Sequence, residues 1–366
     1  MKVLCNREQL REGLSIVSSV IPSKSTRPAI ENVCLVATEN ALELVGTDLE
    51  VAIRFRIDDV KVAETGTLLV SARVANDFVR DLTEETVTLD ATGDNCIISS
   101  GGDRAELVTV DSDEFPVVAR FQEDNSYPIL AETFSKQVSR TAFAAAREPG
   151  RYAMHGVLIE VEESQLRLVA TDGRRLAVTS TLLDCPDGTT ERSIVPTKGL
   201  QPFTRILTDP MARVRISFDE TQFSLKTDQA EIFARLIDGE FPKYSQVVPP
   251  EGECKIEIDA NLLISKLRLV STVTSVDARA VRLSFAEDHL EIIAKAAGRG
   301  EATAQMEANY QGGEVDIVFN PDFLIDGLKQ CETDTVNFEF TDRTSPGKFQ
   351  LGQGYIYVVM PITIDA

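Results

Sequence analysis

Few residues of this chain have the types and spacing that bond-making chemistry needs. There are two histidines, His155 and His289, and neither belongs to an H-E-x-x-H pair or stands beside a nucleophile motif. The six cysteines, Cys5, Cys34, Cys96, Cys185, Cys254 and Cys331, lack the C-x-x-C spacing of a zinc or redox site and read as reduced and structural. No Walker A pattern, complete G-x-G-x-x-G or G-x-S-x-G elbow occurs; "GQG" at 352–354 reads as a hairpin turn and "DSD" at 111–113 as a solvated one. The expectation is a protein without catalytic residues, metal or cofactor. Binding chemistry remains. "LRLVATDGRRLAV", 166–178, places an Asp-Gly turn and two guanidinium groups, Arg174 and Arg175, between apolar runs that alternate like strands.

The elements that must hold this stretch follow from length and pattern. At about 100 to 200 residues per domain, 366 residues make two or three domains. Hydrophobic residues at 43% and charged residues at 26% fit a globular protein. No apolar run approaches the roughly 20 residues of a membrane span, and "MKVLCNREQL" lacks the apolar core of a signal peptide, so a cytoplasmic location without membrane contact is expected. With 58 acidic against 37 basic residues, the net charge of −21 opposes non-specific nucleic-acid binding, which draws on phosphate neutralisation. Composition alone favours a protein-binding role.

Self-similarity changes that picture. "LELVGTD" begins at Leu42, "LRLVATD" at Leu166 and "LEIIAKA" at Leu290, two steps of 124 residues. "LVSARVANDFVRDL" at 69–82, "IVPTKGLQPFTRIL" at 194–207 and "IVFNPDFLIDGLKQC" at 317–331 keep the same period and each join an apolar run to a helix-like segment. Amphipathic stretches open each copy at 7–21, 131–146 and 259–273. Period-two runs with short polar turns, such as "TEN" and "DETQ", lie between them and predict antiparallel hairpins. The fold class is α+β: three repeated domains, 1–124, 125–250 and 251–366, each with two helices on antiparallel sheet.

Six blocks in order, "GTDLEVAI", "RYAMHGVLIE", "ATDGRRLAV", "IVPTKGL", "DGEFPKYSQVVP" and "YVVMPI", resemble the bacterial DNA polymerase III beta subunit, the sliding-clamp family, over essentially the whole chain. The resemblance implies three DNA-clamp domains per chain and a head-to-tail homodimer closed into a ring around duplex DNA. Six helices spaced by about 10 Å cover about 60 Å, roughly half of the ~110–125 Å that a hydrated duplex needs, which agrees with two chains per ring. It further implies a processivity factor that does no chemistry. Its implied partners are double-stranded DNA, the polymerase III catalytic subunit, a clamp loader, and other polymerases and repair proteins carrying clamp-binding peptides. A topological tether needs only weak phosphate contacts, and the expectation is basic residues inside and acids outside.

The resemblance carries over Lys24, Arg73, Arg151 and Tyr152 as DNA contacts by matching position, and Arg147 and Lys198, close by in sequence, are expected with them. Carried over by motif, the partner-peptide groove is Met154, Thr171, Gly173, Arg174, Arg175, Leu176, Pro242, Val247, Val358, Met360, Pro361 and Ile362, with Val358, Met360 and Ile362 on one face of a terminal strand. Leu107 and Val273 mark the dimer interface. The chain departs from the family at Arg174, where many relatives have histidine, at Ala153 and Ala278, where aromatics are usual, and in a tail extended by Asp365 and Ala366. The alternative is an acidic peptide-binding scaffold that keeps the clamp fold without DNA work. A carboxylate-based hydrolase is disfavoured because no paired carboxylates stand out.

Overall fold

The computed structural model describes residues 1–148, 152–207, 209–275, 279–310 and 312–363, without the side chains of Thr92 and Tyr152. Six α-helices lie among the described residues: α1 (Arg7–Ser18), α2 (Ala72–Asp81), α3 (Ala131–Thr141), α4 (Thr197–Ile206), α5 (Ala260–Ser271) and α6 (Pro321–Leu328). Each follows directly on a strand, or, for α6, one residue after it, as the 124-residue period predicts. The side chains of Asn6, Asp259 and Asn320 cap α1, α5 and α6 by accepting a backbone N–H of the first turn. The stretch expected as helix over 131–146 leaves α-geometry at Thr141 and continues as the short 3-10 turn Ala142–Ala144.

Backbone contacts divide the chain into two units. Unit 1 comprises Met1–Ser135, Leu183–Cys185 and Val195–Leu236; unit 2 comprises Lys136–Leu182, Pro186–Ile194 and Ile237–Ala366. The middle third is therefore shared. Its strands Ser126–Leu130, Arg213–Phe218, Gln222–Lys226 and Ala230–Arg235 belong to a 13-stranded sheet in unit 1, in which Ala230–Arg235 pairs antiparallel with Val51–Ile57. Its strands Gly156–Glu162, Gln165–Thr171 and Arg175–Leu182 belong to an 8-stranded sheet, in which Arg175–Leu182 pairs antiparallel with Tyr355–Val359 of unit 2. Edge strands leave unpaired N–H and C=O groups, and joining the edges of successive repeats satisfies both rows. Unit 2 also holds a four-stranded sheet, Gly300–Glu307, His289–Ala296, Val281–Ala286 and Val315–Phe319.

The core of unit 1 lies between sheet and helices. Leu10, Leu14 and Val17 of α1 are buried on one helical face, each stabilising by about 1.5–3 kcal/mol through area removed from water. The approach is close: a Cβ on Gly13 would stand 2.6 Å from the Phe55 ring, so only glycine lets α1 lie this near the strand. Phe134, Phe203, Phe218 and Phe223 form an aromatic cluster with ring centroids 5.2–6.1 Å apart along its contacts. In unit 2, Phe338 stacks on Phe349 at 4.2 Å and meets Phe285 and Phe319 at 6.0 Å.

Candidate functional site

The turn between the strands Gln165–Thr171 and Arg175–Leu182 is built by its own side chains. Thr171 Oγ1 donates to the Arg175 carbonyl at 2.7 Å and accepts the Gly173 N–H at 3.0 Å. Asp172 Oδ1 accepts the N–H groups of Arg174 and Arg175 at 2.9 and 3.0 Å. Gly173 sits at φ 84°, a left-handed conformation that costs a side chain about 1–2 kcal/mol. Strand Tyr355–Val359 lies alongside, and the Met360 N–H donates to the Arg174 carbonyl at 2.8 Å.

Beside this turn opens a cavity of about 120 Å³, wholly within unit 2. Nine of the twelve expected groove residues line it: Met154, Thr171, Gly173, Arg175, Leu176, Pro242, Val247, Val358 and Met360. Its walls are mostly apolar, with Leu176 and Val358 buried at its base and Val247 and Met360 exposed at its mouth, 46% and 39%. Such a shape accepts an aliphatic or aromatic side chain and gives its backbone polar groups at the rim. Arg174, Pro361 and Ile362 are outside the lining. The terminal strand ends at Val359 rather than running through Ile362: Pro361 has no N–H for the ladder, and the Ile362 N–H donates to the Val318 carbonyl at 2.7 Å. Val358, Met360 and Ile362 therefore do not share one strand face.

The two arginines differ in role. Arg174 is exposed. Arg175 is 9% exposed, and its guanidinium donates to Asp172 Oδ2 at 3.1 Å, to Asp326 Oδ2 at 2.9 Å and to the Phe143 carbonyl at 2.9 Å. It also stacks over the Phe323 ring at 4.6 Å and the Phe143 ring at 5.4 Å. Burial works against its charge, but Tyr357, Asp326 and Asp172 more than offset that and hold it protonated. Arg175 thus fixes the turn from behind.

Tyr244 lines the cavity and was not among the expected residues. Its hydroxyl donates to Glu160 Oε2 at 2.7 Å and accepts from Arg167 Nη1 at 3.2 Å, while Arg192 approaches Glu160 at 3.1 Å. Burial and then the bond to Glu160 raise the phenol above its ordinary pKa, so it remains a neutral wall. The signal was present: Tyr244 stands between Pro242 and Val247 in "DGEFPKYSQVVP", in a loop short enough to bring all three together.

The expected DNA contacts are spread over both units. Lys24 and Arg147 are exposed, in units 1 and 2 respectively. Arg73, 91% exposed, lies 3.9 Å from Asp77. Lys198 is engaged by Asp48 and, at 3.8 Å, by Glu50; the hydrogen bond to Asp48 raises its pKa. Arg151 lies outside the described residues, as do Ala278, Asp365, Ala366 and the side chain of Tyr152. On α1 and α2 basic residues are interleaved with acids, whereas α4 and α5 carry Lys198, Arg205, Lys266 and Arg268 with no acid in the helix. Arg7 and Arg11 share Glu8, Arg73 and Arg80 share Asp77, and Lys136 and Arg140 share Glu332. Arg140 is 4% exposed and stacks over Tyr355, so it belongs to the interior.

At the expected interface, Val273 is half-buried, but Leu107 is 6% exposed and faces the core of its own unit. Side chains alternate along the strand Asp103–Val110, so the exposed apolar residue is its neighbour Val108, at 74%. On α5, Leu262 and Leu269, seven residues apart and hence on one face, are 41% and 58% exposed. Among the described residues no group of three or more His, Cys, Asp or Glu is arranged to hold a metal, and no helix is long and apolar enough to cross a membrane.

Three family models cover almost all of the chain: the DNA polymerase III beta subunit N-terminal domain at residues 1–119, its central domain at 129–243 and its C-terminal domain at 245–362. The beta sliding clamps of Pseudomonas aeruginosa and Escherichia coli (strain K12) are each 30% identical to it, over 367 and 370 residues, with all of both chains covered. The crystal structure of the DNA polymerase III beta subunit from P. aeruginosa superimposes with a TM-score of 0.95 at 30% identity, and that of the Bacillus subtilis sliding clamp with 0.96 at 25%, again over the full length of each chain. The chain therefore belongs to the DNA polymerase III beta-subunit family, the beta sliding clamps, accessory processivity factors that have no catalytic activity of their own.

Proposed function

We propose that the chain acts in the cytoplasm as a head-to-tail homodimer that encircles duplex DNA and holds the polymerase III catalytic subunit through the unit 2 groove. A clamp loader places it on DNA, and other polymerases and repair proteins reach it by peptides that compete for the same groove. The apolar cavity beside the Thr171–Leu176 turn carries this reading: it is open at Val247 and Met360 and backed by an arginine that keeps the turn in place. Arg174, exposed at the rim, supplies a charge to the peptide flank. Lys24, Arg73, Arg147, Arg151, Tyr152 and Lys198 meet phosphates weakly, because several cations nearby already share a carboxylate and retain little net charge. Val108, Leu262 and Leu269, rather than Leu107, provide exposed apolar area for the partner chain, beside Val273.

The test is retention. After loader-assisted assembly, the clamp should persist on nicked circular DNA and slide off the same DNA once it is linearised. Equal release from both would refute topological tethering and leave the acidic scaffold as the reading. Met360→Glu should abolish binding of a polymerase C-terminal peptide while preserving the dimer, and unchanged affinity would remove the groove assignment.

A further inference from the structure

The first repeat builds the same turn a second time. Thr47 Oγ1 donates to the Val51 carbonyl at 2.8 Å and accepts the Leu49 N–H at 2.9 Å; Asp48 Oδ1 accepts the N–H groups of Glu50 and Val51 at 3.0 and 2.8 Å. These bonds reproduce those of Thr171–Arg175, atom for atom, 124 residues earlier. The adjoining strand also keeps its place. Ala234 lies opposite Val51 and the Arg235 N–H donates to the Glu50 carbonyl at 2.8 Å, as Val359 lies opposite Arg175 and the Met360 N–H donates to the Arg174 carbonyl at 2.8 Å.

Beside this first turn, within unit 1, is a cavity of about 320 Å³. Val51 and Phe233 are buried beneath it, at 1% and 4%, while Leu49 and Val117 stand at its mouth, 44% and 100% exposed. Leu49 occupies the position of Gly173 and holds φ 78°, a conformation costing a leucine about 1–2 kcal/mol. The strain is spent on presenting an apolar side chain to solvent. The charges around the cavity are uneven. Lys198 engages both Asp48 and Glu50, whereas Arg235, exposed in the lining, has no ion-pair partner among the described residues.

We infer that this cavity is a second docking groove, for an extended peptide that places an aliphatic side chain between Leu49 and Val117 and a carboxylate on Arg235. The inference rests on the unit 2 groove being a peptide site, since the likeness of the two turns is what identifies the occupant. The flanks would differ: Arg235 stands where the unit 2 groove has Met360, so an acidic residue beside the anchor is favoured here.

The test uses the full chain and one amide-capped octapeptide, Gly-Ser-Leu-Glu-Ile-Leu-Gly-Ser, with a counterpart carrying Gln for Glu. Native mass spectrometry and titration calorimetry count peptides per chain. Two are expected. The pair Leu49→Asp and Val117→Asp, both at exposed positions, should remove one, Met360→Glu the other, and the combination both. Arg235→Gln or the Gln peptide should weaken the unit 1 site about tenfold, the loss of one charge-assisted hydrogen bond, and leave the unit 2 site unaltered. A single peptide per chain that is lost with Met360→Glu and indifferent to Leu49→Asp and Val117→Asp overturns the second groove and leaves the first standing. Two peptides bound after the unit 1 changes overturns it as well, and no binding at either site overturns both.

Discussion

Replacing Arg175 by methionine keeps much of the side chain's volume and removes its fork of donors. In the native turn those donors satisfy Asp172, Asp326 and the Phe143 carbonyl, at 3.1, 2.9 and 2.9 Å. Removing one partner of a buried ion pair costs about 3–5 kcal/mol, because the stranded carboxylate stays desolvated. Asp326, at 38% exposure, regains water and contributes little of that, whereas Asp172, at 17%, does not. The lower end, about 3 kcal/mol, is the expected destabilisation, with Arg175→Lys near half because an ammonium keeps the charge but not the fork or the stacking. Hydrogen exchange followed by mass spectrometry reads this locally: the segments 166–182 and 355–359 should lose protection by about 100- to 200-fold, with the 13-stranded sheet unchanged. Peptide affinity for the unit 2 groove should fall with it. A change in exchange below about threefold would refute the claim that Arg175 holds the turn.

Gly173→Ala forces a Cβ into left-handed backbone at φ 84° and should weaken groove binding by about five- to tenfold, measured by fluorescence polarisation of a labelled peptide. Val108→Asp combined with Leu269→Asp should give a folded monomer in sedimentation at micromolar concentration, whereas Leu107→Ala should leave assembly intact and cost about 2–4 kcal/mol of stability. Burial pushes the Cys5 thiol up to about 12 and those of Cys34 and Cys96 to about 11, so at pH 8 iodoacetamide should spare all three and modify the half-buried Cys185, Cys254 and Cys331 first. Asp342 is held below its ordinary 3.8 by the Thr344 hydroxyl, then by the backbone N–H groups of Thr344 and Ser345. Because the folded pKa is the lower one, the protection of that turn is complete above about pH 4 and lost as pH falls through the folded value. Thr344→Val should bring that loss to higher pH.

The repeat made most of the architecture legible, since Leu42, Leu166 and Leu290 begin equivalent stretches 124 residues apart and the strand-to-helix junctions at Val70, Val195 and Phe319 follow at steps of 125 and 124. Nine of the twelve expected residues also meet around one cavity, because they come from contiguous blocks. The differences in burial and register have distinct causes. Leu107 and Val108 differ by one position in a period-two element, and a family motif without the strand's register does not say which of them faces the core. Arg175 is an arginine beside a turn, which ordinarily signals solvent; only Asp326, 151 residues away, and the Phe143 carbonyl reveal it as interior. Met360 and Ile362 fail to continue the alternation because Pro361 interrupts the ladder.

The strand pairings across the repeat boundaries bear on what can be cut from the chain. Ala230–Arg235 is paired to Val51–Ile57 of the preceding repeat, and Arg175–Leu182 to Tyr355–Val359 of the following one. Excised by itself, the middle third would carry two raw β-edges, each five residues of unmet backbone donors and acceptors. Such a fragment should polymerise edge to edge instead of behaving as a free-standing module, so the unit that recurs in the sequence is smaller than the unit that can live alone.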